Sequence, residues 1–233
     1  MTIAFERKLN LLIGTPNMGD WKAQYGMSLV NMMTYLMATP VPGFRTQRME
    51  PMQVFGSIIS RGRCQIWKKA RAGTPEPYSH LLFIDADQRF PRDTAHRLLA
   101  ANKDVIGCNI ATKQYPSSPT ARAKGGFAGV PVYTDPHGPQ YEKVWRLGCG
   151  IMLLSMRVFK AIGPDCFEIR WVPELEDYRG EDWTLCEALD AAGFEIWVEH
   201  RLSDEVGHIG DFDYTHEFVG ERKFVEVKQI GEA

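Results

Sequence analysis

The sequence predicts an α/β fold, with a mostly parallel sheet that carries helices on both faces. One reason is that short apolar runs typical of buried strands alternate with segments of helical periodicity through the first half of the chain. Another is the run HLLFI at residues 80–84, which is the clearest buried strand. The composition agrees, because 44% of the 233 residues are hydrophobic and 24% are charged, which is the balance of a globular domain.

The individual elements follow from apolar spacing and from glycine and proline breakers. Strands are predicted over residues 9–13, 46–49, 80–84, 105–109, 145–154 and 195–198. Helices are predicted over residues 24–37, 57–71, 158–162 and 183–192, with another that begins at Pro91. Gly14 is expected to end the first strand and Gly193 the last helix. Residues 112–140 are rich in glycine and proline and predict loops or hairpins.

The charge is nearly balanced overall but unevenly spread. A net charge of -2 gives the whole molecule no general attraction for nucleic acid or anionic lipid. Residues 44–71 carry seven Lys and Arg against one acid, a balance of +6, whereas residues 165–205 carry thirteen acids against three Arg, a balance of -10. This asymmetry indicates a cleft between unlike surfaces with phosphate on the basic side, or else two solvated helix faces.

The cysteine pattern and the hydropathy bear on the compartment. Five scattered cysteines without a CxxC pair favour a reducing environment over a disulfide framework or a zinc ribbon. The first residues contain charges and do not resemble a secretory signal, and no run approaches the roughly 20 apolar residues of a spanning helix. We therefore expect a cytoplasmic protein with no membrane span.

Two acids follow the predicted strand at residues 80–84. Asp85 and Asp87 stand at i and i+2, and they can converge on one divalent cation if the backbone turns there. Carboxylate oxygens suit Mg²⁺ or Mn²⁺, which commonly bridge phosphates. Many loops carry such a pair, but ligand sites lie at the carboxyl ends of parallel strands, and that position favours a metal site.

Two further features carry possible chemistry. Glu181 and Asp182 open the predicted helix at residues 183–192, where acids complement the helix dipole and can cap the helix. Alternatively, Asp182 is a general base that deprotonates an acceptor hydroxyl beside a metal–phosphate site. His208 lies in a glycine-flanked loop, and it is either a structural histidine or a third metal ligand through its neutral imidazole.

In this order the motifs resemble those of the GT-A glycosyltransferases, in particular inverting enzymes similar to family 2 and their short phage and bacterial members. The resemblance covers about residues 9–210. Its motifs are LLIGTPNMG, SHLLFIDADQRFP, KDVIGCNIATKQYP, RLGCGIMLLSMRVF, GEDWTLCEALDAAGFEIWVEH and GHIG.

The resemblance implies a role for each matching residue. Asp182 would be the base, with Glu181 binding the acceptor or orienting the loop. The metal, Mn²⁺ or Mg²⁺, would be held by Asp85, Asp87 and His208. The donor nucleotide would be bound by Thr15, Pro16, Arg63, Asp85 and Ala86. The donor sugar or the acceptor would contact Gly148, Gly150 and Trp183.

The implied reaction moves a sugar from a nucleotide-sugar donor, a UDP-sugar being favoured, to an acceptor hydroxyl. One base and no enzyme nucleophile imply a single displacement with inversion. The expected acceptor is a hydroxymethylated base of phage DNA, a glycan or a protein, in a bacterial or phage-infected cell. The chain would be one domain, with a nucleotide-binding half at about 1–110, an acceptor and catalytic half at about 111–216 and a tail at 217–233. The alternatives are a nucleotidyltransferase and an inactive binding module.

Overall fold

The computed structural model describes residues 7–73, 76–126 and 128–219. Most of the tail predicted at 217–233 therefore lies outside the described residues. The strands are β1 (Arg7–Asn17), β2 (Phe44–Phe55), β3 (His80–Ile84), β4 (Gln88–Arg89), β5 (Val105–Gly107), β6 (Arg122–Ala123), β7 (Val130–Pro131), β8 (Tyr141–Val144), β9 (Ile151–Ser155), β10 (Arg170–Val172), β11 (Asp177–Arg179), β12 (Ile196–Glu199), β13 (Gly207–Ile209) and β14 (Asp213–Tyr214). The α-helices are α1 (Ala23–Ala38), α2 (Ile59–Ala72), α3 (Thr94–Ala100), α4 (Met156–Ala161), α5 (Glu181–Ala191) and α6 (His200–Glu205).

A seven-stranded sheet in the order β2-β1-β3-β9-β5-β12-β8 forms the centre of the molecule. The β1–β2, β1–β3 and β5–β12 pairs are parallel, whereas β9 runs antiparallel to both of its neighbours and β8 antiparallel to β12. Five strands therefore point the same way, which confirms the mostly parallel sheet. Their carboxyl ends share one edge, where ligands bind in such sheets.

Helices cover both faces of this sheet, as the sequence predicts. One buried apolar cluster joins the sheet to α2, α4 and α5, with Trp67 fully buried at its centre. A second cluster joins the opposite face to α1, α3 and α6. Alternate residues of β3 belong to different clusters, Leu81 and Phe83 to the first and Leu82 and Ile84 to the second. This alternation explains why the run is apolar throughout.

The first strand is longer than predicted because Gly14 does not end it. β1 continues to Asn17 and stays in parallel register with β2 as far as Phe55. A Cβ at Gly14 would collide with the side chain of Ile66 on α2. The glycine is thus needed because a helix packs closely against the strand at this point. β1 continues beyond Gly14, so its last residues, which include Thr15 and Asn17, lie at the carboxyl edge of the sheet.

Some short elements are not predicted by the sequence. The strand expected at 145–154 forms only in its second half, as β9 (Ile151–Ser155) between β3 and β5, whereas β8 (Tyr141–Val144) precedes the predicted range and pairs with β12. The hairpin of β10 and β11, the helix α6 and the small sheet β14-β13-β4 are additional. Two- and three-residue strands are too short to show a periodicity. Among the described residues, no helix has the length and apolar character needed to cross a membrane.

Candidate active site

The buried guanidinium of Arg63 occupies the centre of the candidate site. Its Nη2 lies 2.9 and 3.0 Å from the two carboxylate oxygens of Asp85, at the end of β3. Its Nε donates to Oε1 of Glu181 at 3.1 Å, at the start of α5. Its Nη1 donates to the carbonyl of Cys149 at 3.4 Å. Only 3% of the Arg63 side chain is exposed, so these contacts replace its water.

Close packing of α2 on the first strand brings Arg63 to this position. A Cβ at Gly62 would lie 3.1 Å from Cβ of Pro16, so the helix meets the end of β1 at a glycine. The guanidinium carbon also lies 5.4 Å from the ring centroid of Phe83. Asp85 is held from the other side, because its N–H donates to the carbonyl of Gly150 at 2.9 Å. The ion pair therefore joins elements far apart in sequence.

Asp85 and Glu181 pair with Arg63, and the charges of this group shift the pKa values of Asp85 and Asp182. Burial raises the pKa of Asp182 to about 6; the nearby Glu181 adds to the increase and Arg63 opposes it. Burial also raises the pKa of Asp85, and there the attraction of Arg63 opposes it only in part. The pKa of Arg63 is raised, because the carboxylates outweigh the effect of its burial. Burial and the neighbouring charges therefore act on Asp182 in addition to the helix end.

Asp182 is not the N-cap residue of its helix, although its carboxylate binds an N–H of the first turn. The N-cap of α5 is Gly180, and Asp182 is the second residue of the first turn. One of its oxygens accepts the N–H of Trp183 at 2.8 Å. The acid is partly buried. A carboxylate in this position is available for proton transfer as well as for the helix end.

Asp87 faces away from Arg63 and meets a different set of groups. Its Oδ2 lies 2.5 Å from Nζ of Lys113 and 3.5 Å from Nε2 of His208. The hydrogen bonds from His208 and Lys113 outweigh burial and hold the pKa of Asp87 well below its usual range. The small sheet creates this arrangement, since His208 on β13 pairs with Gln88 on β4 and Ile209 N–H donates to the Asp87 carbonyl at 2.7 Å.

The His208 ring is oriented by its second nitrogen. Nδ1 lies 2.9 Å from the carbonyl oxygen of Ala111, which can only accept, so Nδ1 carries a proton. The hydrogen bond that lowers the Asp87 pKa needs a second proton, on Nε2, whereas in the neutral ring Nε2 presents a lone pair towards the carboxylate of Asp87. Two lone pairs that face each other suit a cation between them, and imidazole and carboxylate are ligands that Mn²⁺ accepts.

The three predicted metal ligands do not converge. Asp87 and His208 face each other, whereas both oxygens of Asp85 accept from Arg63. Within residues 7–73, 76–126 and 128–219, no group of three or more His, Cys, Asp or Glu side chains is placed to hold a metal ion. Of the predicted ligands, Asp87 and His208 face each other at this point, and a metal bound there would take further oxygens from a substrate or from water.

A cleft of about 160 Å³ lies at the carboxyl ends of β1 and β3. Of the residues predicted for the donor nucleotide, Pro16, Asp85 and Ala86 line it, and so does Asp87. Thr15 lies behind the wall and shares a buried hydrogen bond of 2.5 Å with the hydroxyl of Tyr25. Arg63 supports the wall through Asp85. Five further lining residues are not among the predicted site residues: Asn17 and Met18, which lie within the motif LLIGTPNMG, and Asp20, Lys22 and Ile59, which lie outside the quoted motifs.

The residues predicted near the donor sugar have close neighbours within the fold. A Cβ at Gly148 would lie 3.0 Å from Thr120, and one at Gly150 would lie 3.2 Å from Cγ1 of Ile110. Both glycines thus permit close packing. Trp183 is partly buried, with the guanidinium of Arg146 4.1 Å from its ring centroid. A role of these three residues in substrate binding stays a prediction.

The basic segment at residues 44–71 does not form one solvent-facing stripe. Arg63 is buried, Lys69 lies 3.3 Å from Glu50, and Arg71 donates to the Phe159 carbonyl at 3.1 Å. Arg48 donates to a backbone carbonyl and covers the ring of a tyrosine. Four of the seven cations therefore hold the fold together.

Comparison with known proteins addresses the fold. No protein-family model matches the sequence, and no curated protein is similar to it in sequence. Among solved structures, the chain is similar to A197 from STIV, with a TM-score of 0.59 and 13% identity over 87% of each chain. It is less similar to the nucleoside-diphosphate-sugar pyrophosphorylase from Vibrio cholerae RC9, with a TM-score of 0.47 and 12% identity over 85% of this chain and 94% of that one. For S. aureus TarS in complex with UDP-GlcNAc the TM-score is 0.42 and the identity 12%, over 82% and 56%.

The likeness to A197 and the sheet described above define the class of the fold. The chain has a GT-A-like glycosyltransferase fold, which confirms the fold class predicted from the sequence. At this level of identity the likeness concerns the fold alone, and the chemistry has to be argued from the site.

Replacement of Arg63 tests whether the buried ion pairs hold the site together. Arg63→Met leaves two carboxylates without their cation, and we expect the free energy of unfolding to fall by about 3–5 kcal/mol in urea titrations. Arg157→Met is the matched control, because Arg157 is 76% exposed in its pair with Asp104 and its loss should cost about 0–1 kcal/mol. Equal effects of the two substitutions would show that Arg63 has no such role.

Proposed function

We propose that the protein is a glycosyltransferase that moves a sugar from a nucleotide-sugar donor to the hydroxyl of an acceptor. The observation that carries this proposal is the set of carboxylates around Arg63 beside the cleft. Asp85 and Asp87 line a cleft at the carboxyl edge of the sheet, and Asp182, which follows the Arg63 partner Glu181 at the start of α5, has a raised pKa. A site for phosphate and a base with a suitable pKa are what transfer to a hydroxyl requires.

Asp182 is the proposed general base. With a pKa of about 6 it is about nine-tenths ionised at pH 7, and it is a stronger proton acceptor than an ordinary aspartate. Glu181 and Arg63 adjust that value through their opposite charges, and the hydrogen bond between them fixes the start of α5. A single base with no enzyme nucleophile in the proposal implies one displacement at the anomeric carbon, with inversion.

Asp87 and His208 are the proposed protein ligands of a divalent cation, Mn²⁺ or Mg²⁺. The cation would neutralise charge on the departing nucleoside diphosphate. His208 is already oriented by the Ala111 carbonyl, and such hydrogen bonds to the far ring nitrogen are typical of metal-bound histidines. Lys113 supplies a second positive charge at the same carboxylate. Asp85 acts in this proposal through Arg63 and the cleft wall.

The donor is proposed to bind in the cleft of Pro16, Ala86 and Asp87, and a UDP-sugar is the donor to test first. Every residue that lines this cleft precedes residue 110, whereas the proposed base follows residue 111. This division supports the two functional halves predicted from the sequence. Lys113 and His208 reach Asp87 from the second half, so the halves meet at the proposed metal site.

Product analysis distinguishes this activity from its alternatives. Purified protein is incubated with Mn²⁺ and a panel of UDP- and other nucleotide-sugars, and in parallel with nucleoside triphosphates and sugar phosphates. We expect release of a nucleoside diphosphate in the first series, with water as the slow acceptor. Release of pyrophosphate only in the second series would identify a nucleotidyltransferase, and binding without any product would identify an inactive module.

The role of Asp182 predicts both a rate and a pH dependence. Asp182→Asn should lower turnover by about 10²- to 10⁴-fold, the usual contribution of a general base, and leave donor affinity nearly unchanged. In the unmodified protein kcat/KM should rise with pH through about 6, because the base acts when ionised. Asp190→Asn, on the exposed side of the same helix, is the control. Turnover of Asp182→Asn within about threefold of the original would eliminate the base.

The proposed metal site predicts coupled binding of cation and nucleotide. Calorimetry should show that Mn²⁺ binds weakly alone and raises the affinity for UDP, because the phosphates supply ligands. Asp87→Asn should remove this coupling together with turnover. Asp211→Asn is the control, because Asp211 is exposed, and it should retain both the coupling and the turnover. UDP affinity that a chelator leaves unchanged in the original protein would contradict the assignment.

A further inference from the structure

Two exposed aromatic rings stand on the hairpin that leads into the proposed base. Trp171 on β10 and Tyr178 on β11 are cross-strand partners, with ring centroids 5.2 Å apart at 74°. Their exposed fractions are 52% and 64%. The hairpin ends at Arg179, and only Gly180 separates it from α5. Large aromatic side chains that remain in water next to a site are typical of ligand-binding surfaces.

The hairpin is fastened to the helix that carries Asp182. Arg179 forms a salt bridge with Glu187, on α5. At the base of the hairpin, the hydroxyl of Thr184 donates to the Glu168 carbonyl at 2.7 Å. These contacts hold the aromatic pair at a constant place relative to the base. A molecule that rests on the rings is thereby presented to Asp182 by rigid elements rather than by a free loop.

The charge around the rings selects the kind of molecule that rests there. Residues 168–179 contain four acids and two arginines, a balance of -2, and Glu174, Glu176 and Asp177 are exposed. Both arginines are engaged, Arg170 with Glu168 at 2.7 Å and Arg179 with Glu187. A polyanion such as DNA is repelled by this surface, because it needs cations along its phosphates. The surface suits a neutral molecule whose hydroxyls donate to carboxylates.

We propose that Trp171 and Tyr178 form the acceptor platform, and that the acceptor is a neutral carbohydrate. This inference rests on the proposed glycosyltransferase function and names its acceptor class. The face of a sugar ring carries C–H groups with partial positive charge, which pack on the negative face of an aromatic ring. The sugar hydroxyls at its rim donate to the surrounding acids. One hydroxyl of the bound ring is then presented to Asp182.

The binding test uses an array of neutral oligosaccharides and a 20-base-pair DNA duplex as probes. The unmodified protein should bind a subset of the glycans, and Trp171→Ala and Tyr178→Ala should weaken that binding by about tenfold, the loss of one aromatic contact. Trp171→Phe and Tyr178→Phe keep both rings and should keep most of the binding. Tyr133→Ala is the control, because Tyr133 is exposed to a similar degree, 55%, outside the hairpin.

A second measurement separates this inference from the proposed function. Release of the nucleoside diphosphate with water as acceptor does not need the platform, so the alanine variants should retain it. If the unmodified protein releases no nucleoside diphosphate, the proposed function fails. If it does so but binds no neutral glycan, binds the DNA duplex more tightly, or loses nothing in the alanine variants, the platform alone is overturned.

Discussion

The buried guanidinium of Arg63 is the contact on which the arrangement of the site depends. It joins the end of β3, through Asp85, to the start of α5, through Glu181. These two elements are 96 residues apart in the chain, as the positions of the two carboxylates show. A buried arginine needs its charge matched, and the two acids need the same cation, so neither strand end nor helix end can move without the other. The start of α5, which carries the proposed base Asp182, is thereby tied to the cleft wall at Asp85.

Arg63 also gives Asp85 and Asp87, the two acids that follow β3, different surroundings. Asp85 turns inward to Arg63, and burial raises its pKa, whereas Asp87 turns outward to Lys113 and His208, which lower its pKa. Carboxylates whose pKa values are driven apart in this way take different roles in catalytic sites. Here Asp85 lines the cleft and is tied to Arg63, whereas Asp87 presents a negative charge to Lys113 and His208.

The sequence predicts the large elements well because their burial imposes a period. The helices α1, α2 and α5 and the strand β3 begin and end within about two residues of their expected limits. The site is only partly predictable. Asp85, Asp87, Asp182 and His208 are marked by their positions after strands and at a helix start. No local pattern shows that Arg63 pairs with Asp85 and Glu181, or that Lys113 meets Asp87, because these contacts join distant segments.

The uneven charge of the sequence also takes its meaning from the fold. Some cations of residues 44–71 are buried, and Arg63 is the most deeply buried of them, whereas the acids of the hairpin before α5 face the solvent. At the cleft, Lys22 is part of the lining and Lys113 reaches Asp87. An anionic donor would also meet the carboxylates of Asp20, Asp85 and Asp87 there, and the proposed divalent cation would offset that negative charge. Direct displacement needs the nucleophile and the leaving group on opposite faces of the reacting carbon, and in this proposal the base on α5 and the cation at Asp87 and His208 act from different elements of the fold.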